Sequence, residues 1–316
     1  MPAEETEPTV VSYSYLGPAG TFTEAALKQV PDAAGKTWHA VNNVGEALAD
    51  VVSGRSTAAM IAMENSVEGG VSATQDALAK MPGLRIIGEY LVPVRFELVA
   101  RPGTVLADVR TINAHPVAYA QCGSWLNATL PGHGHIPASS NVAAAATLLH
   151  GSLADAAIAP IGITEHYPLE VLATDIGDNN NAVTRFVLVS RSRVIPAPTG
   201  ADKTSLIVEL PDDVSGSLLG MLEQFSTRGV NLSLIESRPI GDALGRYRFI
   251  IDADGHINDE RMADALLGLR RFSPNVLFLG SYPRADKQTI EFTSRYDDAI
   301  FVEARQWLDG LLDPTA

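Results

Sequence analysis

Ser12-Tyr13-Ser14-Tyr15-Leu16-Gly17-Pro18-Ala19-Gly20-Thr21-Phe22-Thr23-Glu24 is the stretch whose reading decides the fold of this chain. Ser12 to Leu16 reads as a strand, and Gly17 to Gly20 as a turn. A helix opens at Thr21, where Thr21 and Glu24 have capping-box spacing. A strand that turns at once into a helix is the repeating unit of an α/β sheet, and the unit recurs downstream. Val44, Ala47, Leu48, Val51 and Val52 fall on one helix face. Ala58 to Met63 reads as a buried strand that runs into Glu64-Asn65-Ser66, a Gly69-Gly70 break and a helix from Val71 to Lys80. Thr111 to Ala114 is a short strand, followed by His115, by Pro116 at a first helical position, and by a helix from Val117 to Leu130 that carries Gln121 and Cys122. Ser139, Ser140 and Asn141 precede a helix from Val142 to His150, and each has the chemistry of a cap. Ala156 to Ala159 and Thr184 to Ser190 supply further strands. The expectation is a mostly parallel sheet covered by helices, with polar clusters in the strand-to-helix turns where open α/β sheets bind small, often anionic ligands.

The chain has 316 residues, with 23 basic and 37 acidic side chains and a formal charge of −14. That balance argues against nucleic acid and anionic membrane as partners. The length prior of about 150 residues per domain suggests two domains. A single cysteine, Cys122, excludes an intramolecular disulfide and a cysteine-rich zinc site and fits a reducing, cytoplasmic setting. Met1 to Thr9 is acidic and reads as a disordered lead-in, without the basic start and apolar core of a secretory signal. No phosphate-loop or dinucleotide fingerprint occurs, which argues against a kinase or dehydrogenase, and His133-Gly134-His135 lacks carboxylates at ligand spacing, so no metal site is expected.

A second unit follows the linker Val194 to Lys203, marked by Pro196, Pro198 and Gly200. Thr204 to Leu210 reads as a strand, Ser215 to Arg228 as a helix ended by Gly229, and Val230 to Ser237 and Arg246 to Asp252 as strands. Asn258 to Arg271 reads as a helix and Val276 to Ser281 as a strand. This is βαββαβ, a sheet with one helix-free face and open edges that pairing with a second copy would cover. The tail from Tyr282 to Ala316 contains a helix from Asp297 to Leu312.

Leu16-Gly17-Pro18-Ala19-Gly20-Thr21-Phe22, Glu64-Asn65-Ser66, His115-Pro116, Gln121-Cys122 and Thr184-Arg185-Phe186 occur in this order, and the set resembles the prephenate dehydratase family. Glu236-Ser237-Arg238-Pro239 in the second unit resembles the phenylalanine-binding ACT domain that follows the catalytic domain there. The resemblance implies an α/β fold: a two-lobed, periplasmic-binding-protein-like catalytic domain over residues 10–193, a ferredoxin-like ACT domain over 203–283, and a tail over 284–316. It implies a cofactor-free lyase that converts prephenate to phenylpyruvate, carbon dioxide and water, regulated by L-phenylalanine, and assembled as a homodimer or homotetramer.

By the same resemblance, Thr184 hydrogen-bonds the leaving hydroxyl, with Arg185, Phe186, Glu64, Asn65 and Ser66 beside it. Arg185 would fork onto a substrate carboxylate, and Glu64 would be a proton donor only if buried. Gly20, Thr21, Phe22, His115, Gln121, Ser139 and Ser140 are the expected substrate-binding set. Gly216, Ser217 and Leu218, with Asn231, Leu232, Glu236, Ser237, Arg238 and Pro239, are the expected effector set. Val117 stands where the family usually has glutamine, and Ser217 where it commonly has alanine. Plainer readings exist for each: Glu64-Asn65-Ser66 as a capping turn, Ser139 to Asn141 as helix caps, the glycine turn as a tight connection, Glu236 and Arg238 as a surface pair. Arogenate dehydratase and a non-catalytic amino-acid sensor are the alternative functions.

Overall fold

The computed structural model describes residues 11–211, 214–241, 245–273 and 275–312. The expectation for Met1 to Thr9 lies outside the described residues. The chain forms two compact units: residues through Val71 with Tyr90–Phe186, and Ser72–Glu89 with Val187 onward.

The elements through the first unit, in chain order, begin β1 (Ser12–Leu16), α1 (Phe22–Leu27), β2 (Thr37–Val41), α2 (Val44–Ser53), β3 (Ala58–Asn65) and the two-residue β4 (Gly69–Gly70). After α3 (Ser72–Lys80), which belongs to the second unit, come β5 (Arg85–Pro93), β6 (Phe96–Ala100), β7 (Thr111–Ala114), α4 (Pro116–Gln121) and α5 (Gly123–Thr129). The series ends with β8 (Gly134–Pro137), α6 (Asn141–Leu148), β9 (Ala156–Pro160), β10 (Glu170–Ala173) and β11 (Val183–Ser190). Two sheets result, ordered β2-β1-β3-β11-β5, with β4 on β3, and β10-β6-β9-β7-β8.

β1 runs parallel to β2 and β3, as strands joined by helical crossovers must. The second sheet is mixed: β7 is parallel to β8 and β9, but β6 is antiparallel to β9 and β10. The mostly parallel reading is corrected here, because β6 and β10 pair through returns that no crossover helix announces in the sequence. β6 alternates between two cores, with Leu98 packing among Ile112, Ala118, Leu126 and Ile158, and Val99 among Val142, Ala145 and Leu148.

Three local expectations change. β3 continues through Glu64 and Asn65 and folds back onto β4, so these residues lie in a hairpin and not past a strand end or in a capping turn. The helix read over Val117 to Leu130 breaks at Cys122, whose φ of −115° and ψ of 9° separate α4 from α5. Val52 is 47% exposed, since the helical period carries it about 80° around from Val44, to the edge of the apolar stripe.

The second unit comprises β12 (Asp202–Glu209), α7 (Ser217–Ser226), β13 (Leu232–Pro239), β14 (Tyr247–Asp254), α8 (Glu260–Phe272), β15 (Val276–Pro283) and α9 (Asp298–Leu312). The antiparallel order β13-β14-β12-β15 is the ferredoxin-like arrangement that βαββαβ predicts. Asp202 and Lys203, read as linker, begin β12, and the Lys203 ammonium forms a buried pair with Glu89 at 2.9 Å. Leu206, Val208, Phe249 and Ile251 face α7 and α8. The opposite face is not helix-free as expected. Asp76 of α3 binds Arg238 and Arg248 there, and Ile250 is fully buried. These contacts explain why residues 72–89 group with this unit and not with the segments flanking them in sequence.

Candidate active site

A helix begins with N–H groups that have no partner inside the helix, so a polar residue just before it is drawn into the cap. Three such residues of the first unit line one cavity of about 310 Å³. Thr21 caps α1, its hydroxyl accepting from Glu24 N at 3.3 Å and donating to the Leu16 carbonyl at 3.0 Å. His115 caps α4 through Nδ1, which accepts from Val117 N at 3.3 Å. Ser140 caps α6, accepting from Ala143 N at 3.0 Å. Phe22 and Ser139 also line this cavity. The plainer cap reading therefore holds for Thr21, His115 and Ser140, and it does not compete with a binding role. Capping fixes where each helix starts, and the packing of the first unit gathers the three starts around the cavity.

β11 supplies the remaining wall. Side chains alternate across a strand, so Thr184 and Phe186 face the cavity together while Arg185, between them, does not line it. Thr184 is buried, and its Oγ1 accepts a hydrogen bond from Asn65 Nδ2 at 2.9 Å. Asn65 is held in turn, since its Oδ1 accepts from Val67 N at 2.8 Å. A hydroxyl that accepts from an amide keeps its own proton to donate. The strand extension of β3 makes this contact possible.

Glu64 and Arg185 are paired with each other. Arg185 Nε donates to Glu64 Oε2 at 3.1 Å, with the arginine side chain buried and the glutamate side chain a third exposed. The structure places Arg185 in a cross-strand ion pair with Glu64. The burial demanded of Glu64 as a proton donor is not found. Ser66 ties the same two segments: its N donates to the Val183 carbonyl and its hydroxyl accepts from Val183 N, both at 2.9 Å. Sequence reading missed these ties because strand neighbours 120 residues apart carry no local signal.

Gly20 has φ +91°, and a Cβ there would lie 2.7 Å from Ile163 Cδ1, so glycine is required. Its amide donates to Glu24 Oε2 at 2.6 Å and is not left for a ligand. Glu24 Oε2 also lies 3.1 Å from His166 Nε2. Gln121 reaches Glu68 at 3.5 Å and does not line the cavity. Burial, with the Asp178 carboxylate adding to it, pushes the Cys122 thiol up to about 12, which leaves no thiolate for nucleophilic work. Among the described residues, no three His, Cys, Asp or Glu side chains are grouped to hold a metal ion. Asn141, quoted only as a cap, is the residue sequence reading undervalued. It lines the cavity, and its Oδ1 accepts from His115 N at 3.2 Å, joining the starts of α4 and α6.

The second unit has a cleft of its own, about 710 Å³, lined by Gly216, Ser217 and Leu218 together with Leu219, Ile240 and Tyr247. Gly216 adopts φ +91° at the start of α7. The other half of the expected effector set lies on β13 or just before it, and none of it lines this cleft. Asn231 donates to Asp254 at 2.7 Å, Leu232 packs on the core, Ser237 is paired to Phe249 in the sheet, and the Pro239 carbonyl accepts from Arg248. Glu236 and Arg238 each reach α3 as well as lying beside one another on β13. Glu236 accepts from Gln75, and Arg238 forks onto Asp76 at 2.7 and 3.3 Å.

The family model for prephenate dehydratase matches residues 13–194. The chain is 44% identical over 311 residues to the prephenate dehydratase of Mycolicibacterium vanbaalenii, covering 94% of this chain and 97% of that one. The crystal structure of prephenate dehydratase in complex with L-Phe from Arthrobacter aurescens superposes with a TM-score of 0.92 at 54% identity, over 96% of this chain and 99% of that one. A second structure, GqqA, a novel type of quorum quenching acylase, gives a TM-score of 0.76 at 30% identity, over 86% of this chain and 97% of that one. A match over more than half of the chain, and relatives aligned over nearly their whole length, establish that this chain belongs to the prephenate dehydratase family.

Proposed function

We propose that the cavity around Thr184 binds prephenate and that the Thr184 hydroxyl assists departure of the ring hydroxyl. The overall reaction is that of a decarboxylating dehydratase. The bond to the ring carboxylate breaks and releases carbon dioxide, its electron pair enters the ring, and the carbon–oxygen bond opposite breaks. The hydroxyl takes up one proton and leaves as water, so phenylpyruvate carries an aromatic ring. Aromatisation drives the step, and the protein has to hold two carboxylates and stabilise the leaving oxygen.

The observation that carries this reading is the hydroxyl of Thr184, oriented by Asn65 at 2.9 Å and facing a cavity rimmed by the capped starts of α1, α4 and α6. Thr21, His115, Ser139 and Ser140 stand where a dianion would be received, and Phe22 and Phe186 supply apolar walls. Glu64 and Arg185 act as a tie between β3 and β11 and keep Asn65 against Thr184. Gly20, Ser66 and Gln121 shape the surroundings without touching substrate.

L-phenylalanine is the effector in this reading, bound at the cleft of Gly216 to Leu218 and completed by residues 231–239 of a second copy. Two features support it: the Arthrobacter relative was crystallised with L-Phe, and β13 is an edge strand that a second copy can cover. The catalytic and ACT domains are assigned to residues 10–193 and 203–283, the protein to the cytoplasm, and the assembly to a homodimer or homotetramer. No described helix is long and apolar enough to cross a membrane.

The test is phenylpyruvate formation by the purified protein from prephenate, with arogenate in parallel, each with and without L-phenylalanine. Turnover of prephenate altered by phenylalanine is the expected result. Turnover of arogenate alone would move the substrate assignment, and phenylalanine binding without turnover of either would leave a sensor.

A further inference from the structure

The cavity around Thr184 takes its walls from both sheets of the first unit, and the chain passes between those sheets twice, from β5 to β6 and from β10 to β11. Side chains at the start of α1 make a third tie. It joins Gly20 and Glu24, on the first sheet's side, to a short 3-10 turn (Ile163–Glu165) that follows β9 on the second sheet's side. Glu24 is buried, and its Oε2 meets two groups, Gly20 N at 2.6 Å and His166 Nε2 at 3.1 Å. An ionised carboxylate only accepts, so the hydrogen of the second contact sits on Nε2. Ile163 is fully buried and packs over Gly20, leaving no room there for a Cβ. Phe22 meets Phe96 of β6 edge to face, with ring centroids 5.8 Å apart. The turn is also fixed from beneath, since the buried Glu97 carboxylate of β6 accepts from Gly162 N and Ile163 N. Lys28 and Glu165 approach to 3.5 Å, but both are exposed and such a pair contributes little. Glu24 and His166 do not line the cavity, whereas Thr21, Phe22 and Pro160 beside them do.

We propose that Glu24 and His166 are positioning residues for the reaction in this cavity: their contact clasps the Ile163–Glu165 turn to the start of α1 and so holds Thr21 and Phe22 opposite the walls that the second sheet contributes. Neither touches substrate. On the reading of the cavity given above, on which this rests, substrate is gripped from both sheets at once, so it binds only where the sheets stand at their joined spacing. When a fraction of molecules has that spacing, apparent affinity falls by that fraction. Bound substrate then supplies the missing tie itself. Asn65 and Thr184 both stand on the first sheet, so their contact survives a loosened clasp. Glu24 and His166 therefore act on KM and spare kcat.

The test is His166→Ala in the full-length chain, with His166→Gln as the conservative partner, because a glutamine amide nitrogen stands close to the Nε2 position and still donates to Glu24. Steady-state turnover of prephenate should show KM raised about tenfold in His166→Ala with kcat within about twofold, and His166→Gln should recover most of KM. Glu24→Ala combined with His166→Ala should be little worse than Glu24→Ala, as the two halves of one contact must be. Unchanged KM in a folded His166→Ala overturns the proposal, and so does a loss confined to kcat. Should His166→Ala fail to fold, His166→Asn takes its place: its amide falls short by one methylene, so KM should exceed that of His166→Gln, and equal values overturn the clasp. Hydrogen exchange on the ligand-free protein needs no turnover: amides of residues 20–24 should exchange about tenfold faster in the His166 variant than in wild type, and unchanged exchange there overturns the clasp. A wild-type protein that turns over no prephenate removes the reading of the cavity, and the exchange comparison then judges Glu24 and His166 by itself.

Discussion

The two clefts of this molecule differ in how they are made. The cavity of the first unit is about 310 Å³ and is edged by hydroxyls and an imidazole that already serve as helix caps, with the Asn141 amide beside them. The cleft of the second unit is about 710 Å³ and is lined mainly by leucine, isoleucine and aromatic side chains of α7 and the β13–β14 connection. Its chemically distinctive partners, Glu236 and Arg238, are engaged elsewhere in the same chain. A site for chemistry needs polar groups fixed before substrate arrives, and capping and strand pairing fix them cheaply. A site for an effector needs affinity that differs between two states.

The sharpest way to break this comparison is Thr184→Ala. Loss of a transition-state hydrogen bond should lower kcat by about 10²-fold or more, with the fold retained. Phenylpyruvate absorbance measures it, and near-normal turnover would place the reacting oxygen away from β11. Asn65→Ala should cost less, about tenfold, because the hydroxyl remains and only its orientation is lost. Equal losses for the two variants would show that Asn65 itself touches substrate.

In the second cleft, Leu218→Asp places a carboxylate on an apolar wall, and phenylalanine affinity by calorimetry should weaken about tenfold or more. Undiminished affinity would put the effector elsewhere. Ser140→Ala removes the cap of α6 and should cost about 1 kcal/mol of stability in denaturant unfolding. An accompanying rise in KM would show the hydroxyl serving substrate as well as helix.

The smallest effect concerns pH. The Arg284 guanidinium beside Asp286 holds its carboxyl well below the ordinary value, down to about 2. The unfolded chain therefore binds more protons than the folded one between about pH 4 and pH 2, and this contribution to stability is complete above that window and lost as pH falls through it. Melting temperature against pH should show a shallower acid limb for Asp286→Asn than for wild type. Parallel limbs would remove Asp286 from acid unfolding.

Much of the fold is legible in residue order. The strand–turn–helix of Ser12 to Glu24, the caps at Thr21 and Ser140, Pro116 at the start of α4, and the βαββαβ run after the linker all rest on local rules, and all appear in the structure. The errors have one physical source. β3 was ended at Met63 because Glu64 and Asn65 are polar, yet pairing with Gly69 and Gly70 extends it. α4 and α5 were joined because a break at Cys122 leaves the apolar period intact. A mostly parallel reading misses β6 and β10 because antiparallel partners carry no label of direction.

The sequence by itself determined which residues are polar at strand ends, where helices start, that a βαββαβ run follows the linker, and which family motifs are present. Only the tertiary structure decided that Arg185 turns to Glu64, that Asn65 orients Thr184, and that α3 is held by Asp76 to Arg238 and Arg248. Caps and periodicity act within about four residues, where covalent geometry fixes the neighbours. These ion pairs and hydrogen bonds join residues more than a hundred positions apart, where partners are chosen by the packing of whole sheets and not by any property of the residues alone.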